Sequence, residues 1–192
     1  MLSQIFFLVL LIAVNAFFAG TEIALISLND NKIKVMAEEG NKKAILLRNI
    51  LSEPSKFLAT IQIGLTLAGF LASAFAAESF SGRLVSLINM TGIQLPESFS
   101  KSISVVIITI ILSYFSLVLG ELVPKRLAMK KAESISMFMA TPVYLLSKAT
   151  SPFVKLLTNS TNFIVRIFGV DPDEEDNNIT EEEILNLVNL NT

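Results

Sequence analysis

The chain has no cysteine and no histidine. Without cysteine there are no disulfides and no thiolate chemistry; without histidine there is no imidazole base, and both absences remove the usual ligands of zinc and copper. Any metal it binds must be held by oxygen. Charge is scarce too, at 17% of the residues, where an average soluble domain has roughly a quarter. The net charge of −2 supplies no basic field, so nucleic acid is not an expected partner. The groups left for acid–base catalysis are carboxylates, lysines and Tyr114, a poor set for an enzyme.

What is abundant is apolar. Of 192 residues, 52% are hydrophobic and the mean hydropathy is +0.63, so the expected solvent is largely lipid. Leu2 to Leu28 contains one charge, Glu22, and is ample for the ~20 residues that cross a bilayer as helix. Its start, Met1-Leu2-Ser3-Gln4, offers no positive side chain of the kind a cleaved signal peptide wants, so this segment is read as a retained first span. Phe57 to about Ala77 and Ile103 to Gly120 are the second and third, the last meeting Glu121 and then Pro124. The expected fold class is an all-α membrane protein with three transmembrane helices plus a juxtamembrane, interfacial helix.

Lysine and arginine orient it. Lys32, Lys34, Lys42, Lys43, Arg48 and Lys56 lie between spans one and two, and Lys125, Arg126, Lys130 and Lys131 follow span three. The Glu78 to Ser102 loop has only Arg83 and Lys101. By the positive-inside rule the amino terminus is outside and the chain after Pro124 cytoplasmic. Ser134 to Ser147 is uncharged over only about 14 residues, too short for a span, and reads as interfacial helix; a fourth crossing would carry the acidic tail outside. The expected division is therefore 1–132 for the three-span domain, 133–170 for the juxtamembrane segment and 171–192 for an acidic linker entering a cytosolic region. Thr180-Glu181-Glu182-Glu183 before Ile184, Leu185 and Val188 is a capping box opening an amphipathic helix.

Polar groups in lipid are costly, so those inside spans need a partner or a purpose. At ~1.5 Å per residue, Glu22 lies about 30 Å along span one, Glu121 about 27 Å along span three, and Gly64 about 10 Å from the inner end of span two. All three fall in the inner third. Pro124 lacks the N–H that would bond the Gly120 carbonyl, so a bare carbonyl is expected beside the Glu121 carboxylate. That pair suits a hard cation such as magnesium or sodium, with hydroxyls from Thr21, Thr66 or Ser116 and water completing the shell. The plainer alternative for Glu22 and Glu121 is an interfacial carboxylate reaching cytoplasmic water, or paired with Lys125 or Arg126. Thr60, Ser73, Ser104, Thr109 and Ser113 are expected to bond back to their own helices.

Small residues recur every four positions at Thr60, Gly64, Ala68, Ala72 and Ala76, and at Ala16, Gly20 and Ala24, a pattern for close helix packing. Three spans make a thin bundle that encloses a pathway poorly, so a homodimer is expected.

Three segments, Asn15-Ala-Phe-Phe-Ala-Gly-Thr-Glu22-Ile-Ala, Thr60-Ile-Gln-Ile-Gly64-Leu-Thr66-Leu-Ala-Gly-Phe and Leu119-Gly-Glu-Leu-Val-Pro-Lys125, together resemble the CNNM/CorC family, whose membrane domain is also known as DUF21. The resemblance implies a homodimeric magnesium transporter of the cell membrane, exporting the ion with sodium as a coupling ion. It also implies cytosolic CBS domains that bind ATP, which this sequence does not contain. It places the ion site at Gly20 to Glu22, Gly64 to Thr66 and Gly120-Glu121. Many members have serine where this chain has Ala19, which removes one hydroxyl ligand. The rival reading is a membrane-anchored dimeric sensor whose activity lies in the cytosolic domains.

Overall fold

In lipid a backbone must satisfy its own N–H and C=O groups, so long apolar runs become helices. The computed structural model describes residues 1–90 and 96–169, and among them there is no strand. In chain order the helices are α1 (Leu2–Ile26), α2 (Asp30–Glu38), α3 (Lys42–Leu51), α4 (Pro54–Met90), α5 (Glu97–Leu117), a π-helical turn (Val118–Leu122), α6 (Val123–Lys130) and α7 (Ala132–Ile167). Among the described residues three stretches are long and apolar enough to cross a membrane: Leu2–Ile26, Pro54–Met90 and the continuous Glu97–Lys130. The expected all-α class with three spans is what the chain adopts. The acidic linker and the capping box fall outside the described residues.

Two boundaries differ from those read in the sequence. The second helix does not end near Ala77 but continues to Met90, for 37 residues. At 1.5 Å per residue that is about 55 Å, well beyond a hydrocarbon core of roughly 30 Å. Glu78 is a single charge that a helix accommodates, and the extension is tied back to the start of α1, where Arg83 donates to Gln4 Oε1 at 3.1 Å. The third helix likewise begins at Glu97, ahead of its apolar run.

The positively charged connection between the first two spans is also helical. Asn29 caps α2 by accepting from the Lys32 N–H, and Asn41 caps α3 by accepting from the N–H groups of Lys43 and Ala44, a role short amide side chains fill well. Gly40 makes the turn between them at φ +86°, a left-handed conformation glycine adopts at no steric cost. The pair buries Ile33, Ala37, Ala44, Leu47 and Ile50 against Phe18 and Leu25 of α1, Phe57 and Ile61 of α4, and Ala140 and Val143 of α7.

The small-residue stripes lie where the helices meet. Thr60, Ala68, Ala72 and Ala76 of α4 are buried, as are Gly20 and Ala24 of α1. Farther along this interface, Phe7 and Phe75 pack edge to face at 4.7 Å. Outward, large apolar side chains such as Phe6, Phe70, Leu71 and Ile110 are exposed, as lipid-facing positions are.

The chain divides into two compact units, Met1–Ser151 and Pro152–Thr192. The described part of the second is helical through Ile167; Thr158 and Ser160 hydroxyls donate to the carbonyls of Val154 and Leu156. Gly169, at φ +78°, closes the helix end.

Candidate cation-binding site

The π-helical turn is where the third span departs from regular geometry. Its closing bond runs from the Val123 N–H to the Val118 carbonyl, five residues back where an α-helix uses four. Pro124, which has no N–H to give, follows at once in the first turn of α6, the helical position where that loss matters least. The widened turn and the absence of a side chain on Gly120 let α1 approach closely. Asn15 Nδ2 donates to the Gly120 carbonyl at 3.3 Å, and a Cβ on residue 120 would stand 3.2 Å from that nitrogen. The carbonyl expected to be bare is thus already bonded, by the side-chain amide of Asn15.

Glu22 and Glu121 come from different spans and converge on one cation. Lys125 Nζ lies 3.1 Å from Glu22 Oε2 and 3.0 Å from Glu121 Oε1. Glu121 and Lys125 share one face of their rod by spacing alone, whereas Glu22 reaches the pair because α1 packs along the π-turn and α6. Pairing with Lys125, the plainer alternative in the sequence, is the state the structure holds.

The three charges line a cavity of about 420 Å³ whose walls include Asn15, Gln62, Thr66, Ser73, Ser113 and Ser116. Of the site residues read from sequence, Glu22, Thr66, Ser116 and Glu121 are therefore brought together. Thr66 accepts from Gln62 Nε2 at 3.4 Å. Gly20, Thr21, Gly64 and Gly120 do not line the cavity. Thr21 is buried and donates to the Phe17 carbonyl at 2.7 Å; Gly20 faces Pro124, and Gly64 faces the ring of Phe18.

Thr60 and Ser104 do bond back to their helices, at 2.8 Å each, but Ser73 and Ser113, expected to do the same, contribute polar wall instead. Nothing in their local sequence separates these two cases; the facing helix does. Among the described residues no three acidic, histidine or cysteine side chains cluster as a metal cage. Oxygens beyond the two carboxylates would come from hydroxyls, amides and water. A larger cavity, about 530 Å³, carries Lys56, Lys148 and one carboxylate, Glu53, already paired with Lys56 at 3.1 Å. Its net positive charge makes it unsuited to a cation.

The model of the cyclin M transmembrane N-terminal domain (CNNM) matches residues 6–192. The chain belongs to this family. Similar proteins include the UPF0053 protein sll0260 of Synechocystis, 36% identical over 94% of this chain and 40% of that protein. The UPF0053 protein YugS of Bacillus subtilis is 31% identical over 98% of this chain and 43% of its own length. This cyclin M domain thus spans about two fifths of the curated relatives it matches, and it is a multi-pass membrane domain by both its family and its three apolar helices.

Proposed function

We propose that this cyclin M domain carries a divalent cation, magnesium foremost, across the cell membrane. The observation that supports it best is the convergence of Glu22 and Glu121, from two spans, on one polar cavity. Lipid makes an intramembrane carboxylate costly, so two that meet call for positive charge, and Lys125 supplies only half of it. Magnesium takes carboxylate and neutral oxygens and keeps several waters, and a cavity of about 420 Å³ has room for such an ion with part of its hydration shell. In this reading Glu121 and Glu22 supply charge, and Thr66 and Ser116 supply neutral oxygen.

The positive segments that follow the first and third spans orient the domain with its amino terminus outside and the cavity open to the cytoplasm. Export as a homodimer, driven by sodium, is the cycle we assign to it, with the π-turn and Pro124 as the moving part, since irregular helix geometry is where a packed rod yields most easily.

Isothermal titration of the full chain with magnesium, for wild type and Glu121→Ala, tests the site. Magnesium flux in liposomes then tests transport. Binding and flux lost in the variant would support the reading. Equal binding in both, or none in either, would overturn the site. Binding without flux would favour the second reading, a membrane-anchored sensor, which the chain's two-fifths share of its relatives keeps in view because the remainder could carry the activity.

A further inference from the structure

Among the described residues Lys125 is the one cation that lines the cavity, and it faces both carboxylates. Its ammonium stands 3.0 Å from one oxygen and 3.1 Å from the other. A magnesium ion binding the same Glu121 oxygen at about 2.1 Å would therefore lie within about 5 Å of the ammonium. The charges do not balance with both cations present. Two carboxylates carry −2, which a divalent ion neutralises alone; with Lys125 still in place the group would be +1, and with Lys125 alone it is −1. The lysine is an adequate but incomplete counter-ion.

We infer that Lys125 is a tethered stand-in for the transported ion: it occupies the Glu22–Glu121 pair when no divalent cation is bound and is displaced when one arrives. This rests on the proposed function and adds to it a competitor built into the chain. The stem has four flexible carbons, and such side chains swing readily toward water while their apolar part stays packed. Lys125 is only partly buried, with 26% of its side chain accessible, and sits toward the end of the rod that finishes at Lys130. Displacement thus has a route. The ion pair also keeps two carboxylates from facing each other uncompensated in low dielectric, a costly state for a transporter that must pass through an ion-free form.

The same contacts set the direction of the effect. A competing ammonium lowers the apparent affinity for the ion, which favours release, and it holds α1 to the π-turn and α6 through Glu22 in the empty state. Loss of the ion pair on loading would free the third span to move against the first.

Amine labelling read by peptide mass spectrometry tests this directly. The full chain in detergent is treated with a limiting acylating reagent across a magnesium titration at constant ionic strength, with calorimetry in parallel. Labelling of Lys125 is expected to rise several-fold and saturate at the magnesium concentration that saturates the heat, while Lys32, paired with Glu133, keeps its rate. Magnesium heat with a flat or falling Lys125 rate would overturn the displacement and leave the ion site standing. No magnesium heat would overturn both. Lys125→Met supplies a second reading: it should bind magnesium more tightly than wild type and melt lower without the ion, recovering when it is added. Weaker binding in a variant that still melts cooperatively would also overturn the inference.

Discussion

The ring of Phe18 rests on Gly64 so closely that a Cβ on residue 64 would stand 2.3 Å from the ring Cζ and 2.5 Å from both Cε atoms. Gly64 therefore serves to admit an aromatic ring from α1 into the face of α4, where Phe18 joins the core beside Phe57 and Ile61. Gly64→Ala would gain about 0.5–1 kcal/mol of helix propensity but overpack a buried contact at about 1–3 kcal/mol. The expected result is a lower melting temperature in detergent, partly restored by adding Phe18→Leu. A variant as stable as wild type would show that the ring does not lie there.

The other two interfacial glycines should respond in a graded way. At Gly20 a Cβ would make ordinary contact with Pro124, at 3.7 Å, so Gly20→Ala is expected to be neutral or slightly stabilising. At Gly120 it would press on Asn15 Nδ2 at 3.2 Å and dislodge the amide from the carbonyl it bonds, a loss of about 1 kcal/mol. Melting temperatures should rank Gly20→Ala above Gly120→Ala, and the reverse order would contradict the packing of α1 on the π-turn.

Hydroxyl substitutions separate residues that line the cavity from those that only neighbour it in sequence. Thr21 is turned into its own helix, donating to the Phe17 carbonyl, so Thr21→Val should leave magnesium affinity close to wild type. Thr66→Val and Ser116→Ala remove cavity wall and should weaken it several-fold by calorimetry. Equal losses at all three would mean that α1 rotates on binding the ion.

Ser136 Oγ is buried with no hydrogen-bond partner among the described residues. An unsatisfied buried hydroxyl costs free energy that alanine does not incur. Ser136→Ala is expected to match or exceed wild-type stability in thermal melts, and a loss above about 1 kcal/mol would reveal a partner for that oxygen.

The sequence already contained the three spans, because lipid penalises charge and unpaired backbone so strongly that long apolar runs have few alternatives. The small residues at Thr60, Ala68, Ala72 and Ala76 were legible as a packing face for the same reason: a four-residue recurrence puts them on one side of any helix. The Glu121–Lys125 pair was legible too, being one helical turn apart. The α2 and α3 helices were not, since short polar segments hold helical form through caps and tertiary burial more than through periodicity.

What only the tertiary structure decided is which atoms meet across helices. Asn15 and Gly120 are 105 residues apart, and no local pattern says that this amide would take up the carbonyl that Pro124 leaves without its usual donor. Nor does any say that Ser73 and Ser113 would face a cavity while Thr60 and Ser104 bond back to their own helices. By itself the sequence determined where the chain meets lipid and which oxygens are available, since both follow from composition and the period of a single helix. Whether Glu22 joins Glu121 at one cation depends on how α1 crosses the third span, and that crossing is set by side-chain shape: glycine at 20 and 120, the ring of Phe18 over Gly64, and a π-turn wide enough to receive Asn15.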